Sequence, residues 1–178
     1  RVEYLLASLA REITERPLAS PFAAETVVVA SPAMARWINL QLACKNGLAA
    51  NTDYPLPASW VWQLAHRLLC GLPERDPLGP AVAAWKVFFA LPGLLEQREF
   101  SSLRHYLAGD HDTVKRWQLC SRIACLFDRY QFYRPDLIRK WSRGQGSDWQ
   151  ARLWIKLIQG RESTHRVRVI DRMIELLR

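Results

Sequence analysis

The segment TVVVASPAMARW, residues 26–37, contains the two signals on which the predicted fold depends. Its first part, from Thr26 to Ala30, is a β-branched run without polar alternation, which is typical of a strand buried on both faces in a parallel sheet. Ser31 is a suitable N-cap, and Pro32 suits the first turn of a helix. We therefore predict a buried strand that leads directly into a helix.

This helix is predicted to run from about Ala33 to Lys45. Gly47 is placed to end it, because glycine readily adopts the left-handed conformation that closes a helix. Residues 48–54 look extended and would form a second strand. Residues 26–54 therefore read as one strand–helix–strand unit, whose crossover should be right-handed.

Helices are also predicted on both sides of this unit. Residues 2–15 carry an apolar stripe that indicates a helix with one buried face, made by Val2, Leu5, Leu6, Leu9 and Ile13. Ser59 is predicted to cap a further helix that reaches about Cys70. Because two strands do not make a stable sheet on their own, we expect further strands outside this chain to complete it.

Beyond the loop Gly71–Pro80, every long segment is predicted to be helical. The predicted helices cover residues 81–91, 93–98, 101–107, 112–131, a short segment ending near Trp141, 149–159 and 163–177. Pro92 is expected to stop the first of them. The resulting prediction is an α/β, predominantly helical chain, with a partial α/β subdomain over residues 1–75 and an all-helical subdomain over residues 76–178.

The composition predicts a partner that carries negative charge. The 178 residues include 25 Lys and Arg against 17 Asp and Glu, a formal net charge of +8. Such a chain attracts polyanions, of which nucleic acids are the commonest, although the arginines could also form only a solvated surface. No apolar run reaches the roughly 18 residues of a membrane span, and the N-terminal segment lacks a cleavage signal. We expect a cytoplasmic protein without a membrane partner.

No recognised motif predicts catalysis, a metal or another cofactor. A phosphate-binding loop needs Gly-Lys followed by Ser or Thr, and the sequence contains no Gly-Lys dipeptide. The four cysteines form no C-x-x-C pair, so we interpret them as buried or idle thiols. The cluster Asp110-His111-Asp112 lies in a polar loop, where such residues commonly cap the next helix. An enzyme whose site carries no known motif stays as an alternative.

Aromatic side chains near arginines are what stacking on unpaired bases requires. Trp60 and Trp62 point to different sides of their predicted helix, so one can pack in the core while the other faces a groove. The tract RYQFYR, residues 129–134, interleaves arginines with aromatic residues in the same way. For both features the alternative is simple packing against the core.

Five blocks of the sequence resemble the RecC family, the gamma chains of exodeoxyribonuclease V. They are GLAANTDYPLPASWVW (47–62), FSSLRHYL (100–107), QLCSRIACLFDRYQFYRPDLIRKW (118–141), WQARLW (149–154) and His165-Arg166. The blocks follow the family's order and extend over nearly the whole chain. The resemblance implies part of a P-loop-helicase-like, RecA-type subdomain that has lost its ATPase motifs, together with an inserted helical subdomain.

The resemblance also implies a function. Proteins of this family are non-catalytic DNA-binding subunits that work with the RecB and RecD subunits in the repair of double-strand breaks by homologous recombination. They guide single-stranded DNA and scan the 3′ strand for the Chi sequence. The alternative is a stand-alone helical nucleic-acid-binding module, against which the strand–helix–strand unit argues, because that unit needs partners for its sheet.

The family's Chi-scanning surface can be matched residue by residue. The matching positions are Leu56, Trp62, Leu126, Asp128, Arg129, Arg134 and Arg166, with Trp62 as the candidate for base stacking. The chain departs from the enterobacterial pattern where three polar contacts are replaced by Ala30, Pro32 and Arg36, and where Cys125 replaces an acidic residue. Arg36 can pair with guanine, so the sequence that is read can differ. The seven matching residues and Arg36 are called the predicted DNA set below.

Overall fold

The computed structural model describes residues 2–20, 22–109 and 113–178. Over these residues the fold is predominantly helical, with a small two-stranded parallel sheet. The chain divides into two compact units, Arg1–Leu64 and Ala65–Arg178. The prediction of a largely helical chain with a small parallel sheet is therefore confirmed.

The first unit contains the predicted strand–helix–strand arrangement. Its elements are α1 (Val2–Glu15), β1 (Glu25–Thr26), α2 (Pro32–Asn46), β2 (Thr52–Asp53) and α3 (Pro57–Leu68), the last of which continues past Leu64. The strands pair in parallel, with Glu25 opposite Thr52. Backbone pairing continues as far as Val29, whose amide donates to the carbonyl oxygen of Pro55 at 3.1 Å.

The two ends of α2 are formed as the sequence predicts. The Ser31 hydroxyl oxygen accepts a hydrogen bond from the amide of Met34 at 3.2 Å, and Pro32 occupies the first turn. Gly47 closes the helix with a φ of 76°, a conformation that costs glycine little because it lacks a Cβ atom. Both ends are thus determined by local chemistry.

The prediction for the first strand is wrong in its length and in its burial. β1 is Glu25–Thr26 rather than residues 26–30, and Val28 is 43% exposed whereas Val29 is 4% exposed. Successive side chains point to opposite faces of a strand, so burial of both requires a packed layer on each side. The described residues cover the Val29 side but leave Val28 open to solvent.

The helix after the second strand also begins earlier than predicted. α3 starts at Pro57, so Ser59 lies in its first turn and is not the N-cap. Proline is favoured at the first helical position because its φ is already helical and its missing amide would have no partner there. This preference places the start of the helix at Pro57.

The core of the first unit lies between α1 and α2. It is centred on the buried side chains of Leu6, Ala10 and Leu42, with Leu9, Ile13, Trp37 and Ile38 packed around them. Val2 and Leu5, which the sequence pattern assigns to the buried stripe, are 46% and 72% exposed. The predicted stripe is therefore wrong at its N-terminal end, because α2 covers only the later turns of α1.

The second unit is helical. Its elements are α4 (Pro80–Leu94), a 3₁₀ turn (Arg98–Phe100), α5 (Ser101–Leu107), α6 (Thr113–Tyr133), α7 (Pro135–Ser142), α8 (Trp149–Ile158) and α9 (Arg166–Leu176). The aromatic centre of its core is Phe127, whose ring meets Trp154 edge-on at 5.7 Å and Trp141 at 6.1 Å. Such pairs contribute about 0.5–1.5 kcal/mol beyond their burial. They fix α6 against α7 and α8.

Three predicted helix boundaries in this unit are wrong. α4 passes through Pro92 to Leu94, because a proline in the last turn removes only one hydrogen bond near the helix end. The helix predicted over residues 93–98 is replaced by the end of α4 and a 3₁₀ turn. α9 begins at Arg166 rather than at residue 163, since the His165 side chain caps it by accepting from the amide of Arg168.

Candidate nucleic-acid interface

The net positive charge belongs to one of the two units. The sequence of Ala65–Arg178 contains 20 Lys and Arg against 12 Asp and Glu, whereas Arg1–Leu64 contains five of each. The whole excess of +8 therefore falls on the helical unit. A basic unit of this kind is typical of proteins that bind polyanions.

Arg36, the only member of the predicted DNA set on α2, is exposed and faces an open cavity of about 460 Å³. Pro32, Ala33, Trp37 and Leu40 form the rest of the cavity lining. The guanidinium is therefore accessible to a ligand, beside an apolar wall that a base or a sugar could contact.

The two tryptophans of α3 differ in accessibility. Trp62, the candidate for base stacking, is 6% exposed, whereas Trp60 is 37% exposed. The prediction that they would point to different sides is confirmed, but the enclosed ring is that of Trp62. Leu56, just before α3, is 39% exposed. In this conformation Leu56 is accessible and Trp62 is a packing residue.

Arg166, at the start of α9, is buried and engaged by two carboxylates. Its Nη2 atom donates to Asp76 at 2.6 Å and its Nη1 atom to Asp128 of α6 at 2.9 Å. The guanidinium also lies 4.7 Å from the ring centre of Phe132. The Arg166 amide donates to the side-chain oxygen of Gln131 at 3.1 Å. These contacts join α6, α9 and the loop before α4.

Two members of the predicted DNA set, Arg166 and Asp128, point towards each other in this group of contacts. Arg166 is 4% exposed, and Asp128 directs one carboxylate oxygen to it. A charged pair of this kind is costly to separate, because either partner would be left buried and uncompensated. The DNA-binding role of both residues stays a prediction, and the geometry gives them a positioning role first.

The remaining members of the set lie along α6 and at its C-terminal end. Arg129 is exposed and Leu126 is half-buried. Arg134 is exposed and forms two hydrogen bonds with Asp136, at 3.1 and 3.2 Å. Those bonds hold the pKa of the Asp136 carboxyl below its ordinary value. Because exposed pairs are weak, a phosphate could compete with Asp136 for Arg134.

Several other arginines of the helical unit are already paired. Arg139 of α7 donates to Asp171 of α9 at 2.6 and 3.0 Å, and Arg152 of α8 lies 2.7 Å from Glu99. These pairs connect elements distant in sequence. The formal charge therefore overstates the number of arginines that have no carboxylate partner.

Ser142 and His165 lie close together but are not arranged for nucleophilic catalysis. Nδ1 of His165 accepts from the amide of Arg168, so the ring proton lies on Nε2, which is 3.5 Å from the Ser142 hydroxyl. Trp154 Nε1 also donates to that hydroxyl at 2.9 Å. A nitrogen that carries the proton cannot accept one from the serine. Burial lowers the pKa of His165 to about 4.

Over residues 2–20, 22–109 and 113–178, no group of three or more His, Cys, Asp or Glu side chains is placed to hold a metal ion. The Asp110-His111-Asp112 cluster lies outside the described residues. Of the cysteines, Cys120 is buried and the other three are exposed. No helix within these ranges is long and apolar enough to cross a membrane.

Comparison with known proteins identifies the family. The family model for the RecC N-terminal domain matches residues 1–178. The chain is 39% identical to RecBCD enzyme subunit RecC of Escherichia coli (strain K12), over 97% of this chain and 17% of that protein. It is 31% identical to the same subunit of Haemophilus influenzae, over 97% and 18%, and 27% identical to that of Mycobacterium tuberculosis H37Rv, over 80% and 14%.

The chain belongs to the RecC N-terminal domain family. It spans about a sixth of the length of its first two relatives, 17% and 18%. The family resemblance predicted from the five sequence blocks is thereby confirmed. Neither Asp76 nor Gln131 was predicted as a site residue, and no local signal marks them, because their partner Arg166 lies 90 and 35 positions away.

Proposed function

We propose that this chain forms part of a non-catalytic, DNA-binding subunit of a RecBCD-type complex. The observation that carries the proposal is the match of the whole chain to the RecC N-terminal domain. The charge of +8 on the helical unit, with Arg129 and Arg134 exposed, supports a role in contacting DNA. The match to a subunit named RecC does not favour the alternative of a stand-alone module.

We further propose that residues 1–75 are part of a RecA-type, helicase-like α/β subdomain, and that residues 76–178 are the helical subdomain inserted in it. The parallel pairing of β1 and β2 across α2 is the connection that such a subdomain repeats. A layer packed on the open face of such a sheet would also cover Val28, which is 43% exposed.

The proposed DNA surface divides by accessibility. The proposed direct contacts are Arg36 and Leu56 in the first unit, and Arg129, Arg134 and the half-buried Leu126 in the helical unit. Trp62 is enclosed in the first unit, and Asp128 and Arg166 are paired in the helical unit, so we propose that each supports the exposed residues of its own unit. The substrate would be the single 3′ strand containing Chi, and the partners would be the RecB and RecD subunits. Because these act on chromosomal DNA, the proposed location is the cytoplasm.

Replacing Arg134 or Arg129 with alanine is expected to weaken the response to Chi while ATP-driven unwinding continues. Loss of an arginine contact to a base costs about 1–3 kcal/mol, and the motors that drive unwinding are on other subunits. The full-length subunit is assembled with its RecB and RecD partners, and cleavage is followed on DNA with and without candidate Chi sequences. Trp62→Phe should reduce the response less than either arginine variant.

Arg98→Ala is the matched control, because Arg98 is also exposed but lies outside the predicted DNA set. It should leave the Chi response unchanged. A normal response in both the Arg134 and the Arg129 variants would refute the assignment of this surface.

Binding of single-stranded DNA to the full-length subunit is expected to weaken steeply with salt. Phosphate contacts release condensed counterions, and each contact contributes roughly 0.7 to the slope of log affinity against log salt for a single strand. Fluorescence anisotropy of a labelled oligonucleotide at several salt concentrations measures the slope. Arg134→Ala should lower it by about one contact, whereas a salt-independent affinity would argue against a phosphate-dominated surface.

A further inference from the structure

One face of α4 carries large apolar side chains that point into solvent. Val82, Trp85 and Phe89 are 46%, 51% and 75% exposed, and their spacing places them along the same side of the helix. The opposite side is packed into the core through residues such as Val87 and Leu91, both fully buried. Val82, Trp85 and Phe89 are called the α4 platform. None of them belongs to the predicted DNA set.

The two aromatic rings of the platform lie close to each other, and one of them packs against a third ring on α6. Those of Trp85 and Phe89 lie 6.0 Å apart at an angle of 23°, so they are close to parallel. Trp85 is supported from α6 by Trp117, whose ring centre is 4.3 Å away. A preorganised aromatic surface loses little conformational entropy when a ligand binds to it.

The surroundings of the platform are basic. It borders an open cavity of about 480 Å³ that is also lined by Lys86, Lys156 and Leu157, and no carboxylate is among the described residues that line it. Lys156 is exposed on α8. The ammonium nitrogen of Lys86 is enclosed and has no hydrogen-bond partner among the described residues. A ligand with an acidic group and a planar apolar part would therefore suit this cavity.

We propose that the α4 platform binds unpaired nucleotides, with bases stacked on Trp85 and Phe89 and phosphates near Lys156. Every base has a π face, so stacking of this kind holds a strand without reading its sequence. The inference rests on the proposed function, since it assumes that the chain handles single strands. It adds a second surface, outside the residues matched to Chi scanning, that would retain the strand.

The test uses the full-length subunit and an oligothymidylate of about 20 nucleotides carrying photoreactive 5-iodouracil. Crosslinks mapped by mass spectrometry are expected at Trp85 or Phe89. Phe89→Ala and Trp85→Ala should each weaken binding about tenfold, and Trp85→Phe should retain most of the affinity because it keeps a ring. Tyr4→Ala, which removes a 72% exposed ring of α1, is the matched control and should have no effect.

An oligonucleotide with abasic sites separates stacking from phosphate binding. It should bind the parent protein more weakly, and Phe89→Ala should cause no further loss on it. Phe89 is 75% exposed, so its alanine variant removes a surface ring and keeps the test valid even where Trp85→Ala disturbs folding.

Two results would overturn the proposal. One is an unchanged affinity in Phe89→Ala with crosslinks mapping elsewhere. The other is an unchanged affinity combined with loss of the partner subunits on purification, which would make the platform a protein interface. Failure of the proposed function gives a different result. A normal Chi response in Arg134→Ala would contradict the proposed function, and crosslinking at the platform could still occur in that variant.

Discussion

Replacing Arg166 with alanine is expected to lower the free energy of unfolding of the helical unit by about 3 kcal/mol. Arg166 is 4% exposed, and its guanidinium is the shared partner of Asp76 and Asp128. Its removal takes away the cation with which both carboxylates pair. The side chains of Asp76 and Asp128 are 14% and 26% exposed, so water screens them in part and keeps the loss near the lower end of the range for buried pairs.

Hydrogen exchange of peptides from α6 and α9 in the full-length subunit measures this loss, because it reports the local opening free energy. Arg168→Ala is the matched control: its pair with Glu175 is long, at 3.7 Å, and its side chain is 50% exposed, so less than about 1 kcal/mol is expected. Arg166→Lys should lie between the two, since an ammonium cannot reproduce the two-pronged contact.

A triple variant tests the electrostatic explanation directly. Arg166→Met combined with Asp76→Asn and Asp128→Asn should be less destabilised than Arg166→Ala alone, because the cation and both of its carboxylate partners are neutralised together. If the triple variant is the less stable of the two, packing rather than charge accounts for the role of Arg166.

The parts of the fold that could be predicted from sequence are those with local causes. Ser31 and Gly47 determine the ends of α2 within a few residues of themselves, and both ends are confirmed. Pro57 and Ser59 each favour a different first residue for α3. The sequence alone did not show which of the two would determine where the helix begins. The exposure of Val28 depends on which layers cover β1, which no local pattern records.

The sequence predicted which residues belong to the candidate site, but not the contacts between them. Family blocks indicated Asp128 and Arg166, but their contact joins positions 38 apart, and Asp76 lies 90 positions from the same guanidinium. Helical spacing predicted that Trp60 and Trp62 diverge, yet it could not say which ring is enclosed, because that depends on packing against other elements. Apolar residues lie on all sides of α4, and this pattern does not show which of them, Phe89 among them, is left exposed.

Acid is expected to destabilise the helical unit through His165. Burial lowers the pKa of this histidine from its ordinary 6.5 to about 4, with Arg168 lowering it further and Asp171 and Asp76 acting in the opposite direction. Below pH 6.5 the unfolded chain binds a proton that the folded chain does not. The free energy of unfolding therefore falls as the pH drops from about 6.5 to about 4, by about 3 kcal/mol in all.

His165→Asn isolates this contribution. Asparagine can accept from the Arg168 amide and so cap α9 as the histidine does, but it does not titrate. The variant loses the contact with the Trp154 ring, 5.5 Å away, and should be less stable at pH 7. The stability difference between parent and variant should then shrink as the pH falls towards 4. Pulse proteolysis in urea at several pH values measures that difference in the full-length subunit.

Histidine hydrogen–deuterium exchange gives a second, independent measurement, because the exchange rate of the ring carbon follows the protonation state of each histidine. The exchange of His165 should titrate near pH 4, far below the ordinary histidine pKa of 6.5. A His165 titration near pH 6.5 would mean that the ring is accessible to water in solution. The contact between α9 and the Ser142 end of α7 would then be looser than the 3.5 Å between the two side chains indicates.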